Sequence, residues 1–320
     1  MDFVLSEEQQ MLRQSVREFA ESEIAPHTRR MDEGKEFPHA LFRKMAQMGY
    51  LGITIPEKYD GAGMTYQQYA IILEEIARID PAISLGVAAH NGLCTSHVYR
   101  FGSEAIKQKY LGQLARGESL GAWSLTEPTA GSDAGGTRTR AVRDGDTWVL
   151  NGAKTFATHG SVGQLCVVFC LTDPAQGKKG ISAFLLEKGM AGFRHGKVED
   201  KMGMRASDTA EVIMEDCRVP HSHLLGLEGM GFVNAMEILD RGRIAIAALS
   251  LGTAQGAYEV ARKYAKERKQ FGKPIAANQA IAFMLADMAM KIEASRLLTY
   301  RSAFIEDQGA ERVTRYSAMA

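Results

Sequence analysis

The chain has 320 residues, 45% of them hydrophobic and 24% charged, with 38 basic and 38 acidic side chains. That length asks for two or three packed units, and the composition is that of an ordinary soluble globular protein. A formal charge of zero excludes the broad basic surface of a nucleic-acid or anionic-membrane binder, although a local basic pocket can hide in a neutral total.

Met1 to Ser6 has no basic start followed by an apolar core, so neither a signal nor a transit peptide is expected, and the location expected is cytoplasmic. No apolar run reaches membrane-spanning length, so no membrane insertion is expected. Cys94, Cys166, Cys170 and Cys217 lack zinc-site spacing and are too few for a disulfide scaffold; reduced buried thiols are the expectation, with no metal. A strand over Leu165 to Leu171 would put Cys166 and Cys170 on one face.

The first part reads as helical. Ser6 with Gln9 marks a helix start, and Leu12, Val16 and Phe19 follow at helical spacing. Pro38 opens a second helix that ends at Gly49 and Gly52. After a turn-rich loop over Lys58 to Gly63, helices are expected over Tyr66 to Ile79, Ala82 to Tyr99, and Ser103 to Leu114. From Trp123 the pattern becomes short β-branched runs: Thr147 to Leu150, Leu165 to Leu171, Ile181 to Leu186, Arg194 to Val198 and Ala210 to Met214. Asn151-Gly152 reads as a hairpin turn. No helix separates these strands, so an antiparallel barrel or sandwich is expected and a parallel sheet is not. Helical periodicity returns over Phe232 to Arg268. It continues after Pro274, where Ile281, Leu285, Met288, Ile292 and Leu297 form an apolar bundle face. The fold class expected is α+β: an N-terminal all-α domain (1–121), a β domain (122–224) and an incomplete C-terminal helical bundle (225–320).

No Gly-x-Gly-x-x-Gly follows a strand, which argues against a Rossmann dinucleotide site. The strongest local signal is Leu125-Thr126-Glu127-Pro128-Thr129-Ala130-Gly131-Ser132-Asp133, a loop whose hydroxyls and backbone amides can bind a flat heterocycle or a phosphate. It also reads as a plain turn.

With this loop, five further blocks occur in order: Asn151-Gly152-x-Lys154 with Thr158; Lys201 to Thr209; Asp216-Cys217-x-Val219-Pro220; Asp240-Arg241-Gly242-Arg243; and Glu267 to Lys273 with Gln279. In these blocks the whole chain resembles the acyl-CoA dehydrogenase family, with a lean towards its short-chain, butyryl-CoA-like members. The resemblance implies FAD as cofactor and dehydrogenation of an acyl-CoA to a trans-2-enoyl-CoA, as in fatty acid β-oxidation. It also implies electron-transfer flavoprotein as acceptor and a homotetramer. Trp123, Leu125, Thr126, Gly131 and Ser132 would line the flavin, with Thr126 at its pyrimidine edge. Phe156, Ala157 and Thr158 would cover the ring, with the Thr158 hydroxyl near N5. Ser132, Asp240 and Arg243 would contact the acyl-CoA. Arg268, Phe271 and Gln279 would hold the FAD of a neighbouring subunit. Each has a plainer reading: Trp123 and Phe156 as core aromatics, Arg268 as a solvated helix end, Asp240 and Arg243 as a surface pair.

The family's reaction needs a carboxylate to take the α-proton. In most members it is a Glu expected here beyond Ala320; at the position used by other branches stands Gly242, with Glu237 and Asp240 the nearest carboxylates. The sequence therefore predicts a truncated and inactive chain that binds FAD weakly or not at all. The alternatives are a non-catalytic flavoprotein or assembly factor on the same scaffold, and an acyl-CoA oxidase.

Overall fold

A computed structural model describes residues 4–320. Helix α1 (Glu7–Phe19) starts at a capping box in which the Ser6 hydroxyl accepts from the Gln9 amide (3.2 Å) and the Gln9 side chain accepts from the Ser6 amide (3.1 Å). A π segment (Ala20–Ile24) and a 3-10 turn, neither marked in the sequence, lead to α2 (Thr28–Gly34). Helices α3 (His39–Gln47) and α4 (Tyr66–Ile79) fall where the sequence puts them. The expected helix over Ala82 to Tyr99 is α5 (Pro81–Ala89), a π segment (His90–Thr95) and α6 (Ser96–Phe101); α7 (Glu104–Ala115) follows.

Eight strands then form one sheet. They are β1 (Gly121–Ser124), β2 (Arg140–Asp144), β3 (Thr147–Thr158), β4 (Leu165–Leu171), β5 (Ile181–Glu187), β6 (Phe193–Val198), β7 (Thr209–Pro220) and β8 (Leu224–Leu225). The order is β6-β7-β3-β2-β4-β5-β8, with β1 on β4. The ladders are antiparallel except β1 with β4 and the single Arg140–Leu171 contact of β2 with β4. The parallel β1 was not expected, since a four-residue strand gives little signal between a helix and a loop.

Asn151-Gly152 is not a hairpin turn. The β2–β3 reversal lies at Asp144 to Thr147, with Gly145 at φ 61°, and β3 runs through Asn151-Gly152 with a register shift there. Gly152 sits at φ 148°, and a Cβ on it would lie 2.5 Å from the Thr139 hydroxyl, so the glycine admits a close strand approach. Asn151 exchanges two hydrogen bonds with Asp216 across the bulge (3.0 and 2.8 Å).

Both faces of β4 are covered. Leu165, Val167 and Phe169 join one apolar cluster with Ile106, Leu111 and Leu185, while Cys166, Val168 and Cys170 join another with Trp148, Leu150 and Val212. This is why the strand reads as a continuous apolar run. All four cysteines are free and buried.

Helix α8 (Gly231–Glu267) is followed by a hairpin, β9 (Lys269–Gln270) with β10 (Lys273–Pro274), then α9 (Gln279–Asp307) and α10 (Thr314–Met319). Of the expected α9 face, Ile292 is buried, but Met288 and Leu297 are exposed. The buried side of α9 lies mainly in its C-terminal half (Thr299, Ser302, Ala303 and Glu306), where Arg296 and Tyr300 reach α4. Among the described residues no helix is long and apolar enough to cross a membrane.

The chain forms two compact units. One gathers the segment ending at Thr28, Tyr66–Leu85 and Arg243–Ala320; the other gathers Arg29–Thr65 and Gly86–Gly242. In the first, α4 buries the adjacent carboxylates Glu74 and Glu75. Arg13, Arg17 and Arg78 contact Glu75, while Arg13, Arg296 and Tyr300 contact Glu74. Such pairing is what makes two buried carboxylates tolerable. The Asp307 carboxylate accepts from the Tyr66 and Gln67 amides (2.7 and 3.0 Å), satisfying the first turn of α4.

Candidate functional site

The second unit contains a cavity of about 380 Å³, within the usual span of small-molecule pockets. On the sheet side it is lined by Trp123, Leu125 and Thr126, and by Gly131 to Gly135 of the following loop. Phe232, Met236 and Leu239 of α8 line it too, one helical turn apart and packed on the apolar cluster of β4. Lys178, from the short 3-10 segment Pro174–Gly180, is the one cation among the lining residues, its Nζ 5.6 Å from the Phe232 ring centre.

Five of the residues singled out from sequence, Trp123, Leu125, Thr126, Gly131 and Ser132, thus meet in one cavity. Trp123 is not a plain core aromatic: it is half-buried, edge-on to Phe169 at 4.8 Å, and its indole N–H points at His97 Nδ1 (3.4 Å). Burial pushes the His97 pKa down to about 3, so this ring is neutral and Nδ1 accepts. At Gly131 an added Cβ would meet nothing within 4 Å, and Ser132 is exposed.

The loop is held from beneath. Lys154 Nζ donates to the Leu125 carbonyl (3.2 Å) and to Glu127 Oε1 (2.7 Å), and Glu127 accepts from the Arg138 and Thr139 amides (2.8 and 3.0 Å). Both side chains of this pair are buried. Burial works to raise the Glu127 carboxyl, but the Lys154 ammonium and the donated hydrogen bonds outweigh it and hold it below the ordinary range.

Phe156, Ala157 and Thr158 are not among the cavity's lining residues; they adjoin it through the Thr155 amide, which donates to the Thr126 carbonyl (2.8 Å). The β3–β7 register shifts between Lys154 and Ala157, and within that shift Phe156 takes φ 59° and is 65% exposed. A bulky residue in the left-handed region with its ring in solvent is not a core aromatic. Ala157 is buried, so only its backbone can face a ligand; Thr158 is half-buried.

Asp240 and Arg243 both lie on α8, Asp240 half-buried and Arg243 exposed. Arg268, Phe271 and Gln279 belong to the other compact unit, around the β9–β10 hairpin, and all are exposed. Phe271, at the hairpin tip, has φ 49° and is 99% exposed. Among the lining residues Asp133 is the one carboxylate, and it is exposed; Glu237 is engaged by Arg100 and Arg241.

Sequence reasoning missed Lys178 as a site element, and it quoted Glu127 and Lys154 only within their sequence blocks, with no role for either side chain. Lys154 falls in phase with the inward-facing Trp148 and Leu150, a usable signal hidden by taking Asn151-Gly152 for a turn.

Sequence profiles described as the acyl-CoA dehydrogenase N-terminal, middle and C-terminal domains match residues 6–118, 122–217 and 229–320. The short-chain specific acyl-CoA dehydrogenase of Clostridium acetobutylicum is 48% identical over 309 residues, 97% of this chain and 82% of that protein. Among solved structures, butyryl-CoA dehydrogenase from Megasphaera elsdenii superposes with a TM-score of 0.97 at 41% identity, over 100% of this chain and 84% of that one. A chain from the structure of the electron transferring flavoprotein of Acidaminococcus fermentans matches with a TM-score of 0.97 at 48% identity, again over 100% and 84%. The chain belongs to the acyl-CoA dehydrogenase family.

Proposed function

We propose that the cavity seats the ring of FAD against the β sheet, and that the protein acts as an oxidoreductase on the α,β bond of a short-chain acyl-CoA thioester. One observation carries this reading: Trp123, Leu125, Thr126, Gly131 and Ser132 share a cavity with an apolar helix face and a lysine. The donors suit a flat heterocycle, with an aromatic and an aliphatic wall, hydroxyls at Thr126 and Ser132, and open space at Gly131. The hydroxyls of Ser124 and Thr155, neighbours in sequence of the lining residue Leu125 and of Lys154, are buried with no hydrogen-bond partner among the described atoms.

Bound FAD would supply the hydride acceptor. The protein's part is orientation. The Thr126 hydroxyl would donate to the pyrimidine edge, and the Thr158 hydroxyl would stand near N5, while Phe156 would shield the ring from water. Ser132 would touch the thioester, and Asp240 and Arg243 would hold the rest of the acyl-CoA. Lys178 would meet the negative charge of its nucleotide half. Arg268, Phe271 and Gln279 would reach the FAD of a second chain in a homotetramer, all three being exposed. Electrons would pass to an electron-transfer flavoprotein.

We assign the α-proton to no residue lining the cavity. Gly242 has no side chain, Glu237 is bridged by two arginines, and Asp133 lies exposed. The test is the absorption spectrum of the purified 320-residue protein supplied with FAD, where an oxidised protein-bound flavin is expected and its absence overturns the reading. Anaerobic butyryl-CoA should then perturb the flavin band without fast bleaching. Fast bleaching would place a base among these residues and leave the cofactor assignment standing.

A further inference from the structure

The buried pair Lys154–Glu127 has a use that packing alone does not explain. A lysine facing the core of a strand is costly, and an apolar side chain would fill that volume more cheaply. Unlike an apolar side chain, a long cation there can bind two points of another segment at once. Lys154 Nζ reaches the Leu125 carbonyl at 3.2 Å and Glu127 Oε1 at 2.7 Å, and the next residue donates from its amide to the Thr126 carbonyl at 2.8 Å. Three consecutive residues, of which Leu125 and Thr126 line the cavity, are thereby tied to two consecutive residues of β3. Beyond the end of β1 at Ser124, the tied segment is otherwise held by the Glu127–Ala130 bridge and by the two bonds Glu127 accepts from the Arg138 and Thr139 amides. On its other side Lys154 is the last residue in register with β7 before the shift that turns Phe156 outward.

We propose that Lys154 is a positioning residue for the cofactor site, fixing the Leu125–Glu127 segment, whose first two residues line the cavity, and the start of the Thr155–Phe156 bulge in one mutual register through its bond to Glu127. This rests on the reading that the cavity holds FAD. It predicts that removing the ammonium loosens FAD while the fold survives.

The test uses the full chain stripped of flavin and titrated with FAD by fluorescence quenching, with unfolding followed by circular dichroism. In Lys154→Met/Glu127→Gln the buried charges go together, and the glutamine oxygen still serves one of the Arg138 and Thr139 amides, which Glu127 holds with separate oxygens. This variant is expected to unfold cooperatively yet bind FAD about tenfold or more weaker, with an altered visible dichroism of the bound flavin. Lys154→Arg, which keeps the charge, should recover part of the affinity. Arg17→Met, in the other unit, should lower the melting temperature without changing FAD affinity. Glu127→Gln alone covers the case in which the double variant does not fold, and it is expected to weaken FAD several-fold. A folded double variant, or failing that a folded Glu127→Gln protein, that binds FAD within about twofold of wild type overturns the proposal. A wild-type protein that takes up no FAD overturns the cavity reading and this one with it, so the two failures are told apart.

Discussion

The Asp208 carboxylate accepts both the backbone amide and the hydroxyl of Ser161, at 2.9 and 2.6 Å, while the Asp208 carbonyl accepts the His159 amide at 3.1 Å. The corner after Thr158, where His159 takes φ 62°, is therefore held by the Lys201–Thr209 block. Asp208→Ala should cost about 1–3 kcal/mol in urea unfolding, because a half-buried hydroxyl and an amide lose their acceptor. It should also weaken FAD binding if the Thr158 hydroxyl faces the flavin. Asp208→Asn, keeping one acceptor, should lie between; equal stability of all three proteins would contradict this.

Acid should attack Glu75 and Glu127. Burial raises both carboxyls, but arginines at Glu75 and Lys154 at Glu127 outweigh it, so both folded pKa values lie below the ordinary ones. A depressed carboxyl contributes stability that is fully present above the unfolded value of about 4.3 and is lost as pH falls through the folded value. Unfolding free energy should thus hold steady near neutrality and fall below about pH 4. Glu75→Gln should be less stable at pH 7 but show a shallower acid limb. An unchanged limb would remove Glu75 from the account.

What the sequence revealed and what it hid follow from the range of each interaction. Ser6 with Gln9, or the Pro81 that closes α4, act within four residues, so a local pattern displays them. β4 was legible because two buried faces make seven apolar residues in a row. The π segment at His90–Thr95 was hidden inside an unbroken helical pattern, and β1 because four residues carry little periodicity. Lys178 could not be read as part of the cavity, since it arrives from another loop, 46 positions beyond Ser132 by their numbers.

Gly252 lets α8 lie directly on α4. A Cβ there would stand 2.1 Å from the Glu74 carbonyl, with the helix backbone rather than a flexible side chain in the way. Gly252→Ala should destabilise by about 1–3 kcal/mol or more, as overpacking does, since the helices must part over the buried Glu74 and Glu75. Gly203→Ala, where a Cβ meets nothing within 4 Å, is the matched control and should stay within about 0.5 kcal/mol of wild type by urea midpoint.

Lys178 gives the sharpest test of what enters the cavity. Its ammonium is exposed at the wall near Ser132, over the Phe232 ring, so it can meet a phosphate-bearing ligand without unfolding anything. An exposed cation acting on a phosphate is worth a modest, salt-screened energy. Lys178→Ala should therefore raise the dissociation constant of butyryl-CoA about threefold to tenfold, and Lys178→Glu by more, because repulsion replaces attraction. The FAD content should not change in either, since the wall proposed for the flavin ring is built by other residues. Calorimetric titration at two salt concentrations separates the charge from the packing. The wild-type affinity should fall with salt more steeply than that of Lys178→Ala, and Lys178→Glu should improve with salt. If all three proteins bind the ligand alike and with the same salt slope, the nucleotide half of the thioester does not pass Lys178, and the role proposed for that lysine falls.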